Sequence, residues 1–308
     1  MALNYTADQL VEDIKSLSIL PDSQLLLQTE EILRMMNFQM RASLVPLIDS
    51  AAEEFFVHDE DIDYDGTETV FNIPTRAVGT KLRDVVFVDS NGNEVGIPRL
   101  RPEQLKTNYG YGIGLAFGLY GFILKDQTVQ LFIGSSQSAP SYPTLRLKFF
   151  RRPSDCVTVN DCGQITLINT ATREVTVDAA PTDWSTDLLF DFVKGSPHFT
   201  SKGDSLAIDS IAGNTLTFTD ELPDDLVVGD WIAEEGETPI PQVPYEAFPL
   251  LTQLTIIKTL EANRDTDGMK NAMATLEEMK KSFLQIITPR VDGSPIKLGG
   301  TDGISNYI

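Results

Sequence analysis

The chain has 308 residues, 42% of them hydrophobic, and a formal net charge of −21 from 45 Asp and Glu against 24 Lys and Arg. That length allows one large or two moderate domains with a true apolar core, and no apolar run reaches the roughly 18 residues that would cross a bilayer. So strong an acidic excess argues against general affinity for nucleic acid, whose phosphates it repels.

The excess is uneven. Pro74–Arg152 holds 11 Lys and Arg against 5 Asp and Glu, a balance of +6, so the remainder carries −27. A basic middle between acidic flanks could draw copies together head to side or seat against an acidic partner. Cations spread along a solvated sheet would look the same in sequence.

In chain order, Thr6-Ala7-Asp8-Gln9 is a capping box that launches Leu10, Val11, Ile14 and Leu17, a helix of the mature chain and not a targeting peptide. Pro21-Asp22-Ser23 then opens a long apolar helical run to Val57, with Leu26, Leu33, Met40 and Leu47 at seven-residue steps. Pro46 predicts a kink or break near Val45, because an interior proline removes a donor and clashes with the preceding turn. The run ends in His58-Asp59-Glu60-Asp61-Ile62-Asp63-Tyr64-Asp65-Gly66. Asp61, Asp63, Asp65 and Gly66 match the first half of an EF-hand loop, but the twelfth position is Asn72 where a bidentate Glu is needed. A solvated helix-to-strand connection and a non-EF calcium loop are the two readings.

From Val70 the period changes to that of strands. Val85-Val86-Phe87-Val88 is followed by the hairpin chemistry of Asn91-Gly92, and Arg99–Leu105 reads as a short helical turn. The Gly- and aromatic-rich run Tyr109–Phe122 fails as a dinucleotide fingerprint, since the third glycine position is Phe117. Gln127–Ile133 and Leu145–Phe150 read as strands, the second ended by Arg151, Arg152 and Pro153. Gln164–Asn169 and Glu174–Asp178 form a hairpin about Thr170-Ala171-Thr172. Short strands between Gly203 and Glu235 suggest a small barrel-like insertion. Pro244–Asn263 is helical, and Asp265 caps a further amphipathic helix through Met269, Met273, Leu276, Met279, Phe283 and Ile287, stopped by Pro289. Methionines at this spacing usually pack a core, with a partner-binding face as the alternative. The Gly-rich stretch from Arg290 to Ile308 has no periodicity and predicts a segment that is disordered or docked on something else.

The fold class expected is therefore α+β. Helices of residues 1–69 and 240–290 form a helical bundle, 70–200 a central antiparallel β-rich domain, 201–239 a β-barrel-like insertion and 291–308 an extended tail. Catalytic chemistry is not indicated. The motifs of P-loops, zincins and serine hydrolases are missing, and His58 and His198 stand far apart in sequence. Cys156 and Cys162 fit no metal or redox spacing and read as two free thiols or a bridge across a hairpin. No cofactor and no metal ligand set is assigned, and a hydrolytic or calcium-binding β domain is the reading of a different class.

The helical start, the stretch Phe71-Asn72-Ile73-Pro74-Thr75-Arg76-Ala77-Val78-Gly79-Thr80-Lys81-Leu82-Arg83-Asp84-Val85, the stretch Leu145–Ser154 and the closing helices with Ile287-Thr288-Pro289-Arg290 together resemble the head-to-tail adaptor, or ring, proteins of short-tailed bacteriophages. The resemblance implies a non-enzymatic virion protein, assembled in the bacterial cytoplasm, that forms a ring, often twelve-fold, beneath the portal protein. It implies contacts with its own copies, with the portal and with tail or nozzle proteins, and none with membrane. DNA would pass through the channel without specific binding, and an acidic lining suits sliding because it repels phosphate. Arg290, Ile304, Tyr307 and Ile308 are the partner-binding residues it suggests, in a tail that reaches to the portal. Another tail or head component, such as a hub or decoration protein, is the alternative within the virion. The unpartnered apolar side of the long helix is expected to pack on a neighbouring subunit.

Overall fold

A computed structural model describes residues 5–18, 27–101, 120–133, 142–195 and 201–288. Helices and strands are mixed, and the buried apolar residues fall into three cores.

The first core is helical. Helix α1 (Ala7–Leu17) starts at the capping box read from sequence, with Thr6 accepting from the Gln9 amide, and buries Leu10, Val11 and Ile14. The long run is not one helix. It divides into α2 (Thr29–Gln39), a π-helical turn over Met40–Leu44, α3 (Val45–Ala51) and a 3-10 turn over Glu53–Phe56. The break falls where Pro46 predicts it. The Val45 amide reaches back to the Met40 carbonyl, one residue further than in an α-helix, and this wider turn makes room for the proline ring in the first turn of α3.

Helix α4 (Phe248–Ala262) packs on α1, α2 and α5 (Thr266–Ile287), and it is apolar on all sides, burying Phe248, Leu250, Leu251, Leu254, Ile256, Ile257 and Leu260. A helix with apolar residues all round belongs inside. The central element of this core is therefore α4, and the 22–57 run packs onto it. Asp265 caps α5 by accepting from the Gly268 amide. Met269 and Met279 pack against the core as core methionines do, while Met273 is exposed.

The second core lies between two antiparallel sheets. One has the order β1-β7-β3-β4, from β1 (Val57–Asp63), β7 (Thr144–Arg151), β3 (Ala77–Val88) and β4 (Glu94–Gly96). The other has the order β2-β6-β5, from β2 (Val70–Asn72), β6 (Thr128–Ile133) and β5 (Tyr120–Lys125). Phe71, Phe87, Phe122, Leu131, Leu145, Leu147 and Phe149 fill the space between them.

Strand β1 corrects two expectations. The acidic stretch is a strand and not a connection, and its carboxylates do not converge as half an EF-hand. Asp61 stands opposite Arg146 of β7 and takes two hydrogen bonds from it, at 2.6 and 2.8 Å. Asp65 instead accepts from the Thr67 amide and hydroxyl in the following turn. Arg99 forms a parallel bridge with Phe122, and residues 102–105 of the helical turn expected over Arg99–Leu105 lie outside the described residues.

The third core fills a closed six-stranded barrel, ordered β10-β13-β12-β11-β14-β9. Its strands are β9 (Gly163–Asn169), β10 (Glu174–Val177), β11 (Leu189–Val193), β12 (Ser201–Ala212), β13 (Thr215–Phe218) and β14 (Trp231–Glu234). The hairpin read around Thr170-Ala171-Thr172 is β9 and β10, so the barrel draws in strands well upstream of Gly203. Phe190, Phe192, Phe218, Trp184 and Ile232 occupy its interior. A short parallel pair, β8 (Asp155–Cys156) with β15 (Glu237–Thr238), carries the chain between barrel and helices.

Candidate functional site

Two surfaces hold the features that could matter for function. They are a charged junction between the four-stranded sheet and the barrel, and the outward face of the helices.

The junction is built from residues with little chance of surviving alone in a core. Asp191 sits in the apolar strand Leu189-Phe190-Asp191-Phe192-Val193 and is fully buried. A buried carboxylate needs compensation on all sides. Arg76 supplies an ion pair, and the amides of Ser205 at 3.0 Å and Gly236 at 2.9 Å donate to its two oxygens. Arg76 also donates to the Ser154 hydroxyl at 2.5 Å. Beside it, Arg151 donates to Asp204 at 2.5 Å, and Ser201 donates to the same carboxylate.

Both arginines come from the sheet side, and both aspartates from the barrel. Burial lowers the pKa of Arg151 from the usual guanidinium range, and the Asp204 charge pulls it back. A cleft of about 450 Å³ opens here between β1 and β12, lined by His58, Glu60, Arg76, Ser201, Asp204 and Ser205 among others. His58 packs edge-on against Phe149, with ring centres 5.6 Å apart, and lies 3.9 Å from Asp204. Burial lowers its pKa first, and Arg151 adds to that. Burial also raises the pKa of Glu60, with Asp204 adding to it. Charges of both signs are matched across this cleft, as in a structural joint.

Six cations of the basic middle, Arg76, Lys81, Arg83, Arg146, Lys148 and Arg151, pair with carboxylates of the chain itself. Arg146 and Lys148 of β7 lie between Asp59 and Asp61 of β1 and Glu94 of β4. The Arg146 hydrogen bonds hold Asp61 below the usual carboxylate range. Lys81 pairs with Asp49 at 3.1 Å and covers the Phe150 ring at 3.9 Å, and Arg83 pairs with Glu54. These contacts tie β3 to α3 and the turn after it.

Glu237 on β15 stands among other acids. Burial, then Glu234, Asp161, Asp155 and Asp183, push its pKa up to about 7. Cys156 and Cys162 are both free and buried, and burial raises both thiols. Asn37 of α2 pins β8 from inside, donating to the Cys156 carbonyl at 2.9 Å and accepting from its amide at 2.8 Å.

On the helices, several large apolar side chains remain outside the closed core. Phe38 on α2 is 58% exposed, one turn beyond the equally outward Arg34. Ile286 and Met273 on α5 are 65% and 46% exposed, and Phe55 stands outside the turn that follows α3. Leu33, in contrast, is buried in the subunit core, as is Met40 of the same seven-residue series. The large apolar residue of α2 that faces outward is Phe38, which the seven-residue stripe does not single out.

The suggested partner-binding residues Arg290, Ile304, Tyr307 and Ile308 lie outside the described residues. So do His198 and most of the Tyr109–Phe122 run. Sequence reading missed the junction, although one signal was present, because a single Asp inside an apolar strand demands a buried cation. Among the described residues, no group of three or more His, Cys, Asp and Glu is arranged to hold a metal ion, and no helix is long and apolar enough to cross a membrane. Compared with protein-family models and with curated proteins, the chain matches none.

Proposed function

We propose that this chain is a non-enzymatic structural subunit of a phage virion, a head-to-tail adaptor that assembles as a ring on the portal and continues the DNA channel. The observation that carries the reading is Phe38, a large aromatic side chain held 58% exposed on a helix whose other face is already fully packed. An aromatic side chain in such a position is the residue type enriched at the centres of protein interfaces, and a neighbouring subunit would cover it. Ile286 and Met273 on α5 support the same reading, because a ring subunit presents one face to each neighbour in a heterologous contact.

In this reading the four main helices act as a bundle that packs from neighbour to neighbour, and the barrel and sheets hang from it as a rigid attachment. The mature particle is the site of action, and the acidic excess keeps DNA mobile in the channel. Tail proteins bind below, and Arg290, Ile304, Tyr307 and Ile308 reach towards the portal.

Mass photometry and negative-stain imaging of the purified chain, with and without the portal protein of its phage, test the proposal. Closed rings of many subunits are the predicted result. A monomer that stays monomeric in the presence of the portal overturns it.

A further inference from the structure

The barrel holds a further buried ion pair, and its chemistry differs from that of the junction. Lys202 lies at the start of β12, with its side chain only 4% exposed. Asp230, in the turn before β14, has a side chain 2% exposed, and its Oδ2 lies 2.8 Å from the Lys202 Nζ. The carboxylate is fixed in place, since the Gly195 amide donates to its Oδ1 and the Val227 amide to its Oδ2, each at 2.9 Å. A second carboxylate reaches the same amine. Asp225 Oδ2 stands 3.7 Å from Nζ while its own side chain is 69% exposed, and the Asp225 carbonyl also accepts from Nζ. An arginine in such a pair stays an ion, because a guanidinium keeps its proton, whereas a lysine that gives its proton up is a nucleophile. Among the described residues, every other lysine paired with a carboxylate has a side chain at least 20% exposed.

We infer that Lys202 and Asp230 join in an isopeptide bond, which ties the start of β12 to the turn before β14 across the intervening β11. The bond between Nζ and Cγ forms as the bond between Cγ and Oδ2 breaks. Of the three ammonium protons, one stays on nitrogen and two leave with Oδ2 as water, so the step needs no oxidant, reductant or further reactant. A carboxylate C–O bond of about 1.2 Å added to the 2.8 Å contact puts Cγ within about 4 Å of Nζ, and a reactive approach is about 3–3.5 Å. The Gly195 amide stands where Oδ1 becomes an oxyanion in the tetrahedral intermediate. Asp225 relays a proton from Nζ to the departing oxygen. With both reacting groups covered, water has little access to reverse the step. The bond lies within one chain and needs no neighbour, so it and the ring assembly can each fail alone.

Intact-mass measurement of the purified full chain is the test, and it needs no variant. The expected mass is one water, about 18 Da, below that of the sequence. Trypsin then locates the loss. A chain without the bond is cut after Lys202 and releases residues 195–202 apart from residues 203–258. A bonded Lys202 resists the cut, leaving a single peptide of residues 195–258 that is lighter by the same water. Lys202→Arg keeps a cation beside Asp230 and should return the chain to the mass of its sequence. Asp225→Ala leaves the buried pair in place and should slow closure by about 100-fold, read as open chains still present at harvest. Two results overturn the inference. One is a folded chain that stays at the mass of its sequence on prolonged incubation and releases residues 195–202. The other is a missing water with residues 195–202 still released, which puts the loss elsewhere in the chain.

Discussion

At the scale of single residues, buried polar groups define the joints of this molecule. Asp191 is compensated by Arg76 and two backbone amides, and removing it would leave a nearly buried guanidinium without its charge partner. Breaking a buried pair from one side costs about 3–5 kcal/mol. Asp191→Ala should lower unfolding stability by that amount in chemical denaturation, and a loss below about 1 kcal/mol would show that the pair is not structural. Glu237 gives a prediction in pH. Its folded-state pKa is raised to about 7, so between the ordinary glutamate value and 7 the folded state binds more protons than the unfolded one. Stability should then rise as pH falls from 8 towards 5.5, and Glu237→Gln should flatten that part of the curve. A wild-type melting temperature that falls steadily over the same range, with the variant parallel to it, contradicts the assignment. A lone acid in an apolar stretch marks Asp191 in the sequence, but no expectation was drawn from it. Glu237 leaves no such mark, because Asp155, Asp161 and Asp183 come to it from elsewhere in the chain.

At the scale of elements, some were written plainly in the sequence and others depend on distant partners. The capping box of α1, the Asp265 cap and the β9–β10 hairpin are local signals, and each appears where local chemistry places it. Strand β1 shows the opposite case. Val57-His58-Asp59-Glu60-Asp61-Ile62-Asp63 has little intrinsic strand preference, and it becomes a strand because Arg146 and Lys148 on β7 offer matching charges across the ladder. As an edge strand, its acidic side chains also discourage pairing with other chains. The long apolar run misled through its length, since the π-helical turn before Pro46 changes the phase of its stripe. Gly195 gives an element-scale prediction. A Cβ there would stand 2.2 Å from the Gly229 carbonyl oxygen, with the Gly195 amide also held by Asp230 at 2.9 Å. Gly195→Ala should therefore destabilise the barrel by about 1–3 kcal/mol, an overpacking cost with no flexible side chain to absorb it. Hydrogen exchange that is unchanged in β11 and β14 would refute this.

At the scale of the whole molecule, charge joins the four-stranded sheet to the barrel, whereas the helices meet the barrel through an apolar core that takes in Val193, Trp231 and Ala233, with Asn37 hydrogen-bonded beside it. The mixed class was legible because the hydrophobic period changes from helical to alternating at Val70 and back near Pro244. The closure of the barrel was only half legible, since β9 to β11 belong to it through long-range pairing. Which helix faces inward also escaped sequence reading. Leu33 belongs to the core, so its substitution would report on folding, whereas under the proposed ring assembly a substitution of Phe38 would report on subunit contacts. The most direct test of the assembly reading is therefore Phe38→Asp, compared with the unaltered chain by mass photometry in the presence of the portal. The account predicts that the variant melts at an unchanged temperature but yields subunits in place of rings. Rings of normal size and stability from Phe38→Asp would contradict it.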